Sequence, residues 1–267
     1  MHRTYVSHPA DRFVRFVLGA ILAAVCIMSF ASASQPQLVL KDPSASVDLW
    51  PAVSLLRDPD GKLSIDEVLA SADKFVAPAS PHATLGLRQK VVWLRAMVHV
   101  PPAAAGVMQA PMAEQWILDF DYSLLNRIDV YAYANADGGV SQHVVLGNLQ
   151  PNAKRLIRGR SHAAPLVLAP GASYTLIARV ETAGAMILPL TLSKFAPFYD
   201  RAINEHMLQG LLISLGLCLL LYSMLQWASL REPLYLKYSI LIVGSLLFSA
   251  HFFGIGELYL WTENVWL

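Results

Sequence analysis

Seven aromatic and charged side chains are the best candidates for binding chemistry in this sequence. They lie on three strand-like runs and in one loop: Trp93, Arg95, Asp119, Asp121, Arg158, Arg160 and Arg179. A polar small molecule such as a sugar is held by an aromatic platform, planar guanidinium donors and carboxylate acceptors. These residue types therefore favour a site for such a ligand, with the side chains supplied by one sheet face and its adjacent loop.

Cross-strand ion pairs explain several of the same residues without any ligand. Arg95 and Arg179 can pair with Asp119, Asp121 or Glu181 on neighbouring strands. Each such pair adds about 0.2–1 kcal/mol to the stability of a sheet. From the sequence, both interpretations remain open.

No pattern in the chain indicates catalysis, a cofactor or a metal ion. Asp119 and Asp121 lie two residues apart on a strand, about 7 Å, which is the separation of an inverting glycosidase pair. Any strand with two aspartates at this spacing shows it, so the spacing is poor evidence for a hydrolase. His143 and His162 are isolated from other zinc ligands. We therefore expect no enzyme, no cofactor and no metal site in this chain.

One segment imitates a calcium-binding loop. With Gly61 at the sixth loop position, oxygen-bearing side chains fall on several ligand positions, but the first position is Leu56. A turn at Asp58–Gly61 and a capping box at Ser64–Glu67, opening a short helix to about Ala72, explain the same residues. We expect the turn and the helix rather than a calcium site.

The residues around these candidates have the pattern of strands. Apolar and polar residues alternate in runs separated by Pro and Gly, at 91–100, 115–122, 127–134, 140–146, 164–168, 174–181 and 187–192. Alternation assigns one purely apolar face of the first run to the core: Val92, Leu94, Ala96, Val98 and Val100. In the second run it turns Trp116, Leu118 and Phe120 inward and the two aspartates outward. The pattern predicts an all-β antiparallel sandwich over residues 40–195.

Composition limits the function classes. The chain has 267 residues and a net charge of +1, without the basic excess of a nucleic-acid-binding protein. Its mean hydropathy of +0.44 fits a folded domain joined to membrane helices. Both cysteines, Cys26 and Cys218, lie in apolar runs, so the domain between them has no disulfide and must bury a core.

Apolar runs place the rest of the chain in a membrane. Met207–Trp227 is uncharged and long enough to cross a hydrocarbon core of about 30 Å, and Tyr235–Phe253 is a second span. Arg231 and Lys237 place the connecting loop in the cytoplasm, which puts the preceding domain outside. Residues 1–33 have the charge, apolar run and small-residue cleavage site of a signal peptide, with an uncleaved anchor as the alternative.

The order of these pieces resembles a known family. The resemblance rests on Val92–Arg95, Trp116–Phe120, Ile128–Tyr131, Gly147, Arg158 or Arg160 with His162, Pro165–Leu168, Leu176–Val180, Leu188–Leu190, Gly210, Tyr222, Arg231–Tyr235 and Tyr238. Residues 50–267 thus resemble the bacterial seven-transmembrane receptors with diverse intracellular signalling modules (7TMR-DISM), with the second type of extracellular domain. The resemblance implies a jelly-roll sandwich like that of carbohydrate-binding modules. It also implies seven spans and a histidine kinase, diguanylate cyclase or similar output.

Two hypotheses follow for the function. In the first, the domain over 40–195 lies in the periplasm of a bacterium, binds a small and possibly carbohydrate-like ligand, and signals through helices in the inner membrane. The chain ends after two spans, so we expect residues 206–267 to begin a longer helix domain. Its lipid-exposed helices would pack against further transmembrane helices or a second subunit. In the second hypothesis, the chain is a membrane-anchored module that binds an envelope protein or polysaccharide without signalling.

Overall fold

A computed structural model describes residues 37–40, 46–87, 90–102, 114–136, 139–150 and 155–260. The predicted signal peptide at 1–33 lies outside these residues. So does the end of the aromatic segment that follows the second predicted span, beyond residue 260.

Twelve strands and four α-helices make up the described residues. The strands are β1 (Leu38–Val39), β2 (Ser46–Asp48), β3 (Val53–Asp58), β4 (Thr84–Gly86), β5 (Val91–His99), β6 (Glu114–Phe120), β7 (Arg127–Ala134), β8 (Val140–Leu146), β9 (His162–Leu168), β10 (Ser173–Glu181), β11 (Met186–Ile187) and β12 (Leu190–Lys194). The helices are α1 (Ile65–Ala70), α2 (Phe195–Leu230), α3 (Pro233–Phe252) and α4 (Ile255–Tyr259). Short 3-10 turns cover Trp50–Ala52 and Ala72–Lys74.

The strands form two main sheets and one small sheet. The first sheet has the order β1-β5-β10-β7-β8, with β3 also paired to β5. The second has the order β2-β12-β6-β9, and β11 pairs with β4. Apart from the parallel pair of β1 with β5, the paired strands are antiparallel. The antiparallel character predicted from the sequence is therefore correct for all but this short edge pair.

The two main sheets share one apolar core. Val92, Leu94, Ala96, Val98 and Val100 contribute from the first sheet, and Trp116, Leu118 and Phe120 from the second. These are the inward faces that strand alternation predicts. The domain over 37–194 is called the two-sheet domain below. The jelly-roll topology and the likeness to carbohydrate-binding modules stay predictions.

The expected strands from residue 91 onward form with similar boundaries, but the short strands β1, β2 and β4 were not expected, and β3 and the last strand differ as well. Strand β3 forms at Val53–Asp58, in a segment expected to hold only a turn and a helix. The last expected strand, 187–192, is divided around Leu188 and Pro189 into β11 and β12. The expected capping box is present, since the Ser64 side chain accepts from Glu67 N and the Glu67 side chain accepts from Ser64 N.

Helices α2 and α3 are both long and apolar enough to cross a membrane. At 36 residues, α2 is about 54 Å long and exceeds the hydrocarbon thickness of about 30 Å. Its first turns therefore lie beside the two-sheet domain. The two helices approach closely at Gly216, where an added Cβ would lie 2.7 Å from Leu246 Cδ2. Ser223 Oγ also donates to Tyr235 O across the pair.

Candidate functional site

Two candidate sites lie on opposite outer faces of the two-sheet domain. The first site, called the outer cavity, lies on the first sheet. It has a volume of about 370 Å³ between β5, β7 and β10 on one side and α1 with the following 3-10 turn on the other. The second, called the ionic junction, lies where α2 covers the second sheet and comprises Asp119, Asp121, Arg160, Arg201 and Glu205.

The cation of the outer cavity is Arg95. It lies on β5 opposite the core-facing positions Leu94 and Ala96, so alternation turns it outward. Its Nη1 donates to Ala72 O at 3.4 Å, and its guanidinium lies 5.8 Å from the centre of the Phe75 ring. Within the described residues, no carboxylate forms a salt bridge with Arg95.

The remaining walls of the outer cavity are mainly apolar and include a few polar groups. Ile177 and Phe75 belong to a small apolar cluster between the first sheet and α1. Tyr133, Asn135 and Thr175 add polar groups, and Thr175 Oγ1 donates to Asn135 Oδ1 at 2.9 Å. A mainly apolar concavity with a few polar groups is the usual form of a small-molecule site.

The ionic junction is built on the outer face of β6. Ile117 packs there against Phe198 of α2, and Asp119, two residues further on, pairs with Arg201 of the same helix. The carboxylate of Asp119 is fully buried by this contact. Helix α2 reaches this position because β12, the neighbour of β6, ends at Lys194 and the helix begins at the next residue.

A second arginine bridges the sheet to α2. Arg160, in the segment before β9, places Nη2 2.5 Å from Asp121 Oδ1 and donates from Nε to Glu205 Oε2 at 2.8 Å. Arg201 and Glu205 are also four residues apart on α2, with Nε and Oε1 separated by 3.8 Å. The charges of the junction therefore form one connected network between the domain and the start of the helix.

Burial shifts the pKa values of Asp119 in the junction and of His162 on the neighbouring strand β9. The loss of water around Asp119 raises the pKa of its carboxyl to about 6, against the opposing effects of Ser161 and Arg201. Burial lowers the pKa of His162 to about 3, with Arg155 adding to the shift. His162 is therefore neutral at pH 7, and its Nε2 donates to Ser123 O at 3.1 Å.

The end of α3 and helix α4 also contact the domain. Ser123 Oγ donates to Phe252 O at 2.8 Å, and Arg155 Nη2 pairs with Glu257 Oε2 at 2.7 Å. Gly254 has a φ of +70°, and a Cβ added there would lie 2.8 Å from Ser123 Cβ. Its lack of a side chain thus permits both the left-handed turn after α3 and the close approach to the domain.

Comparison with protein families gives two adjoining matches. Residues 51–194 match the 7TMR-DISM extracellular 2 domain, and residues 205–267 match the 7TM diverse intracellular signalling domain. The first match alone covers more than half of the chain. The chain belongs to the 7TMR-DISM family. It is therefore the extracellular sensor and part of the transmembrane region of a signalling receptor, and its matched domains are sensory and transmembrane rather than catalytic. No curated protein matches the chain.

In this 7TMR-DISM chain, the seven residues singled out from the sequence do not share one sheet face. Trp93, Arg95 and Arg179 belong to the first sheet, whereas Asp119 belongs to the second and Asp121 directly follows the same strand, β6. The expectation of one shared face is wrong because β5 and β6, although successive in the chain, pair into different sheets. The binding roles of these residues stay predictions.

Of the seven, only Arg95 lines the outer cavity. Trp93 is buried beneath α1 and its Nε1 donates to Asp58 Oδ2 at 3.4 Å, so its ring offers no platform to a ligand. Arg179 pairs with Glu181, two residues along its own strand, at 2.9 Å. It also lies 3.7 Å from Asp129 on the adjacent strand. Arg179 thus forms ion pairs with the expected partner Glu181, but along its own strand, and with Asp129, which was not expected, across the strand pair.

The loop arginines differ from one another. Arg160 joins the ionic junction, whereas Arg158 is exposed. Arg201 and Glu205, the α2 half of the junction, were not predicted from the sequence. Their spacing of four residues on a helix was the available signal. Phe75 was not predicted either, because its ring reaches the cavity through a turn rather than a strand.

Proposed function

We propose that this chain is the ligand-sensing and transmembrane part of a bacterial receptor, with the two-sheet domain in the periplasm and the helices in the inner membrane. The proposal is supported by the adjoining family matches and by the direct run of β12 into α2. A polar small molecule, with carbohydrates among the candidates, is the ligand. A cytoplasmic histidine kinase or diguanylate cyclase reads the signal.

The ionic junction is the structural observation that supports coupling between the two-sheet domain and the first membrane helix. Arg201 and Glu205 lie in the first turns of α2 and bind Asp119 and Arg160 on the domain side. A change in the spacing or tilt of the second sheet must therefore either move the start of α2 or break these contacts. A ligand produces such a change only to the extent that it binds one arrangement more tightly than the other.

The membrane helices leave large apolar surfaces for partners. Leu211, Leu215 and Leu219 on α2 and Ile240 and Phe248 on α3 are more than half exposed. In a bilayer, lipid and further helices cover such surfaces, and packing of small residues brings helices together. Further transmembrane helices of the receptor, or a second subunit, would complete the coupling.

Ligand screening of the full chain in lipid nanodiscs tests the proposal. We expect at least one member of a panel of sugars, amino acids and organic acids to raise the thermal midpoint. That ligand should also change amide hydrogen exchange in residues 195–205, because these turns bind the domain. A panel without any stabilising ligand contradicts the sensor proposal and favours a membrane-anchored module that binds an envelope protein or polysaccharide.

A further inference from the structure

We propose that the outer cavity binds a small organic monoanion, whose carboxylate pairs with Arg95 and whose apolar body packs against Phe75 and Ile177. This inference rests on the proposed sensor function and names the chemistry of its ligand. It differs from the expectation of a sugar, and the reason lies in the groups that line the cavity.

The charge of the cavity favours an anion. Arg95 has five N–H donors, and the hydrogen bond from Nη1 to Ala72 O is long at 3.4 Å. None of the described residues that line the cavity is acidic, and Asp66 of the adjacent helix α1 is exposed outside its walls. A guanidinium beside an apolar surface binds a carboxylate bidentately, through charge-assisted hydrogen bonds that are about twice as strong as neutral ones.

The shape and walls of the cavity favour a compact apolar body. Its 370 Å³ lies in the usual range for small-molecule sites. Phe75, Ile177 and Val68 form its apolar side, next to the half-buried Arg95. A ligand with a carboxylate at one end and a hydrocarbon or aromatic body at the other matches this division.

A neutral sugar matches the cavity less well. Sugar hydroxyls need acceptors, but the wall residues that the structure describes include no carboxylate, and Asn135 Oδ1 already accepts from Thr175. The indole of Trp93, which would be the natural stacking platform, is 1% exposed. The acidic residues Asp119 and Asp121 are committed to the ionic junction on the other side of the domain.

The test compares charged and neutral forms of the same small molecules. The full chain in nanodiscs is titrated calorimetrically at pH 7 with butyrate, hexanoate, benzoate and phenylacetate, and with the amide of each. We expect one or more carboxylates to bind and the matching amide to bind at least about tenfold more weakly, because it lacks the charge-assisted pair.

Two variants place the bound anion in the outer cavity. Arg95→Gln removes the cation and should weaken binding at least about tenfold. Ala72→Phe keeps Arg95 but fills the cavity from an exposed wall position, and it should abolish binding. Arg158→Gln is the matched control, since it removes an exposed arginine outside the cavity and should bind as the wild type does. The thermal midpoint of each variant verifies folding.

The outcomes separate this inference from the proposed function. Equal binding of acid and amide, or unchanged binding by folded Arg95→Gln, overturns the anion site. Binding of sugars without carboxylates also overturns it but leaves the sensor proposal standing. If neither the carboxylates nor any member of the wider ligand panel binds, the anion site is overturned and the sensor proposal is contradicted as well.

Discussion

The two outer faces of the domain carry polar residues by the same strand alternation but use them in opposite ways. On the first sheet, Arg95 is half-buried beside an open cavity without an acidic partner within the described residues. On the second sheet, Asp119 is fully buried and its charge is met by Arg201. The outer cavity is thus open, whereas the ionic junction is closed by the molecule itself.

The difference comes from what covers each sheet. Helix α1 has only six residues and covers Trp93 but leaves space over Arg95. Helix α2 leaves the second sheet directly from β12 and lays its first turns over β6. The short helix α1 leaves a cavity beside it, whereas the long helix α2 connects the second sheet to the membrane.

The largest expected effect comes from breaking the closed face. Arg201→Met leaves the buried Asp119 without its cation, so we expect the free energy of unfolding of the full chain in detergent to fall by about 2–4 kcal/mol at pH 7.5. The loss should be smaller at pH 5, where protonation of Asp119 removes its charge. Arg158→Met, at an exposed position, should change it by no more than about 0.5 kcal/mol. Equal losses of unfolding free energy in Arg201→Met and Arg158→Met would show that the buried pair of Asp119 and Arg201 contributes no more to stability than an exposed arginine does.

The stability contributed by Asp119 in the ionic junction should depend on pH, which sharpens the comparison. Because the native pKa of Asp119 is raised to about 6, the folded chain binds this proton more tightly than the unfolded chain. This group therefore stabilises the fold below about pH 4, and the stabilisation is lost as the pH rises to about 6. We expect the unfolding free energy of the wild type relative to Asp119→Asn to fall by about 2–3 kcal/mol over that interval.

Unfolding titrations from pH 4 to about 7 measure this difference. His162 has the opposite pH dependence, because its pKa is lowered to about 3 and the unfolded chain takes up its proton first. Its contribution is present in both proteins and cancels in the comparison. A difference that stays constant across the interval would refute the raised pKa.

The smallest expected effect is on the open face. Among the described residues, Arg95 forms no salt bridge and only a long hydrogen bond to Ala72 O, so in Arg95→Gln the unfolding free energy without ligand should change by less than about 0.5 kcal/mol. Chemical denaturation of the full chain in detergent measures it. A loss as large as that of Arg201→Met would mean that Arg95 is a structural residue and that the two faces are alike.

Local sequence patterns predicted the strands from residue 91 onward but not which polar residues lie together in space. Strand alternation correctly predicted that Arg95 lies on the outer face of β5, because the side of a strand on which a residue lies depends only on its position along that strand. It did not reveal that β5 pairs with β10 while β6 pairs with β12, since those partners lie many residues away. Strand β3 was missed because a turn and capping signal follow it directly. Arg201 was missed because its partner Asp119 lies 82 residues earlier.

Amide hydrogen exchange at residues 195–205 tests most directly whether the ionic junction ties the first membrane helix to the domain. The full chain in nanodiscs is compared with the double variant Asp119→Asn, Arg160→Gln and with the control Arg158→Gln. We expect exchange at 195–205 to rise by about tenfold in the double variant, as for a loss of about 1.4 kcal/mol of local stability, and to stay unchanged in the control. Unchanged exchange in the double variant would contradict the account, because the helix start would then be held without the junction.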